Sequence, residues 1–158
     1  MKTAVYAGSF DPITNGHLDI LKAGAQMFDK VIIAVAQNNS KKNILTVDER
    51  IMLIKETTKD LPNVEVDSYE GLTVEYAKKH NAQILMRGLR TASDFEYEMQ
   101  ISQTNRKLAN DIKTVFLTAN PEFSYVSSSV VREILANNGD VSKFVPPNVA
   151  EYLAKKFS

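Results

Sequence analysis

Short apolar runs alternate with amphipathic segments along the chain. Five of these runs predict strands over Thr3–Tyr6, Val31–Val35, Val64–Val66, Ile84–Met86 and Thr114–Leu117. They are short and mostly apolar, which is typical of parallel strands covered on both faces.

The segments between the runs have helical periodicity and recognisable helix starts. A capping box, Thr46-Val47-Asp48-Glu49, predicts one helix start, with Val47, Ile51 and Ile54 as the buried stripe behind it. The long segment Ser93–Ala109 has little apolar stripe, which indicates a solvated helix or a polar interface. Other helices are predicted after Gly16, around Val74 and Ala77, and near Ser129–Ala136 and Pro147–Lys155.

This alternation predicts the α/β fold class. We expect a single-domain, Rossmann-like, open parallel five-stranded sheet with helices on both faces, spanning residues 1–158. Such sheets bind ligands beyond the carboxyl ends of their strands. The residues directly after each strand are therefore the places to search for chemistry.

Composition excludes several classes of function. Lys and Arg total 19 and Asp and Glu total 19, so no overall field draws in nucleic acid or an anionic membrane, and neither is an expected partner. The absence of cysteine excludes disulfides and thiolate chemistry. Two histidines, His17 and His80, are too few for a histidine-based zinc site. The start of the chain has no basic leader, so we expect a cytoplasmic protein.

The loop after the first strand carries the clearest chemical signal. It reads Gly8-Ser9-Phe10-Asp11-Pro12-Ile13-Thr14-Asn15-Gly16-His17 and is neither a dinucleotide fingerprint nor a Walker loop. Gly16-His17 places an imidazole on the first turn of a helix, beside its positive dipole end. An imidazole there can donate a hydrogen bond to a phosphate oxygen.

Further basic and small residues follow the later strands. Lys41 and Lys42 follow the second strand, and either can hold an anion as a point charge. Gly71 and Thr73 suit a turn and a helix cap. Arg87-Gly88-Leu89-Arg90 sets two guanidiniums around a glycine that lets a ligand approach the backbone. Ser127-Ser128-Ser129 opens a helix with more hydroxyls than one cap needs, which favours an anion site.

These groups together contain no carboxylate pair, no nucleophile–base pair and no metal cage. They suit phosphoryl or nucleotidyl transfer, in which positioning and charge stabilisation carry the catalysis.

The motifs resemble the nucleotidyltransferase superfamily that has a His/Thr-x-Gly-His signature, and this resemblance implies that the expected five-stranded sheet is of the nucleotidyltransferase type. Thr14 in place of the first histidine is similar to the phosphopantetheine adenylyltransferase branch. The resemblance runs through nearly the whole chain and rests on the segments Gly8–Pro12, Thr14–His17, Arg87–Arg90, Asp94–Glu98 and Ser127–Ser129.

The resemblance implies roles for individual residues in the transfer of an adenylyl group from ATP to 4′-phosphopantetheine, which gives dephospho-coenzyme A and pyrophosphate. His17 and Lys41 would be catalytic. Phosphopantetheine would bind Ser9, Lys41, Thr73 and Arg87. The ATP site would comprise Ser9, Phe10, His17, Gly88, Leu89, Arg90, Glu98, Phe123, Ser124, Tyr125, Val126, Ser127, Ser128 and Ser129. Mg²⁺ would arrive with ATP and need no metal site of its own, and the assembly would be a homohexamer.

Alternative functions are compatible with parts of this pattern. The same chemistry serves nicotinate-mononucleotide adenylyltransferases and cytidylyltransferases, although Thr14 and the Arg87–Arg90 cluster argue against both. A nucleotide sensor on the same fold would bind ATP without releasing pyrophosphate. A flavodoxin-like carrier or receiver domain is a third alternative, but the acidic cluster of a receiver is missing at the first strand.

Overall fold

One five-stranded sheet organises the chain in the computed structural model, which describes residues 1–38 and 42–158. All neighbouring strands run parallel, in the order β3-β2-β1-β4-β5, which confirms the predicted fold class. Each strand is longer than its predicted apolar run. The strands are β1 (Thr3–Gly8), β2 (Lys30–Ala36), β3 (Val64–Tyr69), β4 (Ile84–Leu89) and β5 (Lys113–Thr118).

The helices lie between and after the strands. The capping box predicted at Thr46 is present, and Thr14 forms a second capping box that was not predicted. A short 3₁₀ turn, Pro121–Phe123, follows β5. None of the described helices is long and apolar enough to cross a bilayer. The helices are α1 (Asn15–Met27), α2 (Val47–Thr57), α3 (Thr73–Lys79), α4 (Ala92–Leu108), α5 (Ser128–Ala136) and α6 (Pro147–Lys156).

The sheet separates two apolar cores, because alternate residues of each strand point to opposite faces. On β1, Ala4 and Tyr6 join the core that α1, α2, α5 and α6 cover. Val5 and Ala7 join the smaller core against α3. Helices therefore cover both faces of the sheet, as predicted.

The buried face of α2 differs from the predicted stripe. Ile54 is fully buried, but Val47 and Ile51 are only partly buried. Arg50 is only 2% exposed, and its Nη1 donates to the Ser9 carbonyl at 2.8 Å. A guanidinium can be buried in this way because backbone carbonyls accept its hydrogen bonds.

A buried carboxylate ties the loop after β1 to the segment before α2. The two oxygens of Asp11, which is 1% exposed, accept hydrogen bonds from the amides of Ile44 and Leu45, each at 3.0 Å. Charge-assisted bonds of this kind are stronger than neutral ones. Together with Arg50, Asp11 fixes the backbone on which Ser9 and Phe10 stand.

The strand order reverses between β1 and β4. From β1 the chain proceeds outward to β2 and β3, and then returns so that β4 pairs with the other side of β1. The carboxyl ends of these two strands diverge into a crevice, the usual ligand position in open α/β sheets. Gly8 ends β1 at this crevice, and Arg87 lies on β4.

The packing of α1 on β4 leads to a stability prediction. A Cβ on Gly24 would lie 2.4 Å from the Sδ of fully buried Met86, so Gly24→Ala overpacks the core. We expect a loss of about 1–3 kcal/mol of unfolding free energy, measured by urea denaturation. In a Met86→Ala background the space is open, and Gly24→Ala should become neutral or stabilise by up to ~1 kcal/mol, because alanine favours a helix. A similar loss in both backgrounds would contradict the steric explanation.

Candidate active site at the carboxyl ends of β1 and β4

A cavity of about 510 Å³ opens at the crevice between β1 and β4. Its walls are the loop after β1, the start of α1, the end of β4 and the start of α5. The structure thus brings together most of the predicted site. The predicted residues in its lining are Ser9, Phe10, His17, Arg87, Gly88, Arg90, Glu98, Val126, Ser127, Ser128 and Ser129.

Some predicted residues do not line this cavity. Leu89, and the segment Phe123, Ser124 and Tyr125, lie outside the lining. Thr73 lines a second cavity instead. Lys41 falls outside the residues that the structure describes, whereas its neighbour Lys42 lies on the rim of the first cavity.

Thr14 and His17 bind each other through reciprocal hydrogen bonds. The Thr14 hydroxyl accepts from the His17 amide at 3.2 Å, and the Thr14 amide donates to His17 Nδ1 at 3.0 Å. A backbone amide can only donate, so Nδ1 carries no proton in this arrangement and Nε2 carries it instead. The imidazole therefore presents an Nε2–H donor in the cavity lining.

The surroundings of His17 keep it neutral. Burial lowers the pKa of His17 to about 3, and the positive charges of Arg87 and Arg90 act in the same direction. The neutral ring is packed against Phe10, whose ring centroid is 4.9 Å away at an angle of 70°. Phe10 is 3% exposed and has a left-handed backbone with φ of 48°. Its buried ring restricts the movement of the imidazole that packs against it.

The first turn of α1 leaves one backbone donor for a ligand. The Asn15 amide donates to the Phe144 carbonyl at 2.9 Å, and the His17 amide is capped by Thr14. Among the described residues, no partner accepts from the amide of Gly16, which also lines the cavity. Gly16 N–H and His17 Nε2–H are thus the donors at the positive end of this helix.

Arg87 is held in a fixed orientation by the one buried residue of α4. Its Nε and Nη2 donate to the two carboxylate oxygens of Glu98 at 2.9 and 2.7 Å, and its Nη1 donates to the Ala7 carbonyl. Although burial opposes it, this pairing raises the pKa of Arg87. Glu98 therefore orients an arginine, a role that the sequence did not reveal.

Arg90 is also paired. Its Nε donates to Asp94 at 3.2 Å, and its Nη1 donates to the Val126 carbonyl at 3.2 Å. Gly88 lines the cavity, so ligand access there stays a prediction, and the packing of α1 gives a further reason for a glycine at this position. A Cβ there would lie 2.8 Å from Ile20 Cγ1, so the glycine is required by the packing of α1 against β4.

Each of the three serines at the start of α5 has an intramolecular partner. Ser127 caps the Val130 amide, and the Ser128 hydroxyl donates to the Pro12 carbonyl at 2.7 Å. Ser129 Oγ accepts from Arg132 Nη2 at 3.1 Å. Ser127 and Ser129 act as acceptors in these bonds, so their O–H donors stay available, and the expected anion site at this helix start stays a prediction. No described acceptor occupies the backbone amides of Ser128 and Ser129, which remain available to a ligand.

Sequence reasoning missed Arg132, which lines the cavity from α5. Its Nη1 donates to the Asp11 carbonyl at 2.9 Å. Within the described lining it is the guanidinium without a carboxylate at ion-pair distance, since Arg87 and Arg90 are both paired. Its position one helical turn after Ser128 was the available signal, because residues four apart share a helix face.

A second cavity of about 380 Å³ adjoins the first and shares Ala7, Gly8, Arg87 and Glu98 with it. Thr73 is the first residue of α3 and does not cap it; its hydroxyl forms a 2.8 Å hydrogen bond with the Tyr69 hydroxyl instead. The remaining wall comes from α4 and includes Tyr97 and Asn105. The shared arginine places the two cavities on either side of one cation.

Comparison with known proteins gives consistent results. The sequence profile of the cytidylyltransferase-like family matches residues 5–134. A phosphopantetheine adenylyltransferase from Caldanaerobacter subterraneus subsp. tengcongensis is 54% identical over 157 residues, which cover 99% of this chain and 98% of that protein. A crystal structure of a protein described as a nicotinate-nucleotide adenylyltransferase, from Vibrio parahaemolyticus, has the same fold. Its TM-score is 0.75 with 19% identity, and the match covers 99% of this chain and 94% of that one.

The Thr14–His17 geometry predicts how the imidazole titrates. In the ligand-free protein we expect ¹⁵N NMR to find Nδ1 unprotonated and Nε2 protonated between about pH 5 and pH 8, where histidine ordinarily titrates. The folded pKa, about 3, lies below the ordinary 6.5, so the folded state binds fewer protons. His17 should therefore lower the stability as the pH falls below 6.5. Protonation of Nδ1 within the tested range would contradict this arrangement.

Proposed function

We propose that residues 1–158 form one adenylyltransferase domain whose ATP site is the larger cavity. The chain belongs to the cytidylyltransferase-like family and, within it, to the phosphopantetheine adenylyltransferases. The reaction transfers the adenylyl group of ATP to 4′-phosphopantetheine and gives dephospho-coenzyme A and pyrophosphate. The observation that supports this site most strongly is the neutral imidazole of His17, with Nε2–H as its remaining donor at the start of α1.

The α-phosphate of ATP would lie against the start of α1. Gly16 N–H and His17 Nε2–H would donate to its non-bridging oxygens, and their charge would be stabilised without a proton transfer. A neutral donor suits this role, because it need not lose a proton to act. Ser9 and Phe10 would contact the nucleotide. They lie on the loop after β1, which the hydrogen bonds of Asp11 and Arg50 hold in place.

The β- and γ-phosphates would extend towards α5. The unoccupied amides of Ser128 and Ser129 point from a helix N-terminus, a natural anion site. Arg132 would add a full positive charge that no carboxylate neutralises within the described lining. Arg90 would contribute from the opposite wall, although Asp94 already shares its charge. Glu98, Val126 and Ser127 would line the ATP site, and Leu89 and the segment 123–125 would shape it from outside the lining.

The acceptor would occupy the second cavity, with its phosphate facing the first. Arg87 lines both cavities and is the cation that can hold that phosphate between them. Thr73 would contact the arm of phosphopantetheine from α3, and Ser9 would lie near the phosphate. The proposed catalytic role of Lys41 rests on the family resemblance, since that residue lies outside the described part of the chain.

The transfer step needs no covalent intermediate on the protein. An oxygen of the acceptor phosphate attacks the α-phosphorus in line, a new P–O bond forms, and the bond to the β-phosphate oxygen breaks as pyrophosphate leaves. The attacking phosphate is already an anion, so no general base is required. The protein contributes alignment of the two substrates and donors for the developing charge.

Magnesium would enter with ATP, held by the phosphate oxygens. In residues 1–38 and 42–158 no group of three or more His, Asp or Glu side chains could hold a metal ion. The acidic side chains at the cavity are also committed: Asp11 to two amides, Asp94 to Arg90 and Glu98 to Arg87. This donor set fits a phosphate-bound Mg²⁺, which neutralises the triphosphate and keeps most of its water ligands.

Assembly and location complete the proposal. The helix α4 exposes Phe95, Tyr97 and Leu108, large side chains that a subunit interface would cover, which supports a homohexamer. A balanced net charge supports a cytoplasmic enzyme without nucleic-acid or membrane partners.

Pyrophosphate release tests the function directly. With Mg-ATP, we expect release on addition of 4′-phosphopantetheine and none with nicotinate mononucleotide or without an acceptor. Release with nicotinate mononucleotide alone would overturn the acceptor and keep the transfer chemistry. ATP binding without release under any of these conditions would indicate a nucleotide sensor.

Removal of the His17 imidazole should slow the reaction while the fold survives. We expect His17→Ala to lower kcat by ~10²–10³, the usual effect of deleting one donor to a developing oxyanion. Circular dichroism should show a folded protein that melts at a lower temperature, because one capping partner is lost. The matched control is His80→Ala, which removes the other histidine, outside both cavities. Equal turnover in the two variants would argue against a catalytic His17.

A further inference from the structure

The segment between α5 and α6 lies beyond the residues that the family profile matches, yet it contacts two parts of the chain that border the ATP cavity, the start of α1 and the Tyr125–Val126 turn. We define it as the 140–146 segment. Val141 and Val145 are 5% and 2% exposed and anchor it in the larger core. The Phe144 amide donates to the Val141 carbonyl at 2.9 Å and closes a turn between these anchors. The segment is therefore attached to the body of the protein at both ends.

Its first contact is with the start of α1. The Phe144 carbonyl accepts the Asn15 amide at 2.9 Å, and the Asn15 side chain donates to the Lys143 carbonyl at 3.3 Å. Asn15 is the first residue of α1 and stands two residues before His17. These bonds therefore hold the helix end that carries the donors Gly16 N–H and His17 Nε2–H.

Its second contact is with the turn at Tyr125 and Val126, which packs beside the start of α1: the Val126 carbonyl oxygen lies 3.6 Å from where a Cβ on Gly16 would be. The Phe144 ring meets the Tyr125 ring edge to face, with centroids 6.1 Å apart at an angle of 89°. Tyr125 is 62% exposed and directly precedes Val126, whose carbonyl accepts from Arg90. The ring contact thus restrains the residue beside the backbone partner of Arg90.

We propose that Phe144 is a positioning residue for ATP, an inference that rests on the proposed function. Phe144 lies outside the cavity lining and acts through its neighbours. Its carbonyl holds the start of α1 and its ring holds the Tyr125–Val126 turn, so these two neighbouring parts of the site keep a fixed arrangement. The donors at the start of α1, and Arg90, whose Nη1 donates to the Val126 carbonyl, then face the triphosphate together. None of the described residues that line the second cavity comes from α1 or from the Tyr125–Val126 turn, so acceptor binding should not depend on Phe144.

Calorimetric binding of ATP, and separately of 4′-phosphopantetheine, tests this proposal in the full chain. Phe144→Leu keeps the carbonyl and most of the apolar volume but removes the aromatic edge contact. We expect it to weaken ATP binding about 2- to 12-fold, the equivalent of one aromatic pair, and to leave acceptor binding unchanged. Phe144→Tyr keeps the ring and should bind ATP normally. Phe157→Leu, at the exposed end of α6, is the matched control and should change neither affinity.

A double-mutant cycle separates positioning from direct contact. If Phe144 acts through Tyr125, Phe144→Leu should add little to the effect of Tyr125→Leu. Additive effects, an unchanged ATP affinity in Phe144→Leu, or equal weakening of ATP and acceptor would each overturn the proposal. Should Phe144→Leu fail to fold, Tyr125→Leu changes an exposed ring, and a normal ATP affinity in that variant would also overturn it. These measurements require no turnover, so they are independent of whether pyrophosphate is released.

Discussion

The reciprocal hydrogen bonds between Thr14 and His17 are the interaction on which the site depends. The same pair of bonds begins α1 and decides which nitrogen of the imidazole carries the proton. Because the helix start and the tautomer share one cause, the donor cannot change without disturbing the helix. Asp11 and Arg50 stabilise this arrangement, since their hydrogen bonds fix the loop that leads into α1. A buried polar network of this kind is stable only because each member has a partner.

The sheet supplies the second constraint, the place where charges can meet. Parallel strands put all their carboxyl ends at one edge, and the reversal between β1 and β4 opens a crevice there. The cations around it differ in how far their charge is neutralised. Arg87 and Arg90 are paired with Glu98 and Asp94, whereas Arg132 has only neutral acceptors within the described lining. A bound triphosphate would meet fixed donors whose orientation is set before it arrives, which is the basis of electrostatic preorganisation.

The sequence predicted the strands, the capping box at Thr46 and the edge of the sheet where the site lies, because local periodicity and cap chemistry decide these features. The capping box between Thr14 and His17 was not predicted, because such a box usually has Glu or Gln in the place of His17. The sequence did not predict features that depend on contacts between distant segments. An arginine such as Arg50 is expected at the surface from the sequence alone, whereas in the fold its guanidinium donates to the carbonyl of Ser9. Gly88 suggested ligand access, but the sequence could not show that Ile20, which lies on another element, leaves no space for a Cβ at this position. The serines at the start of α5 indicated an anion site through their hydroxyls, but the sequence could not show that the Ser128 hydroxyl donates to the Pro12 carbonyl of a distant segment.

The proposed chemistry depends on a neutral His17 that donates from Nε2 to the α-phosphate. A crystal structure with Mg-ATP bound would show both the imidazole and the phosphate. We expect Nε2 at about 2.7–3.2 Å from a non-bridging oxygen of the α-phosphate, with Nδ1 still accepting from the Thr14 amide. A bound nucleotide whose α-phosphate lies beyond hydrogen-bond reach of His17, or an imidazole turned so that Nδ1 faces the phosphate, would contradict it.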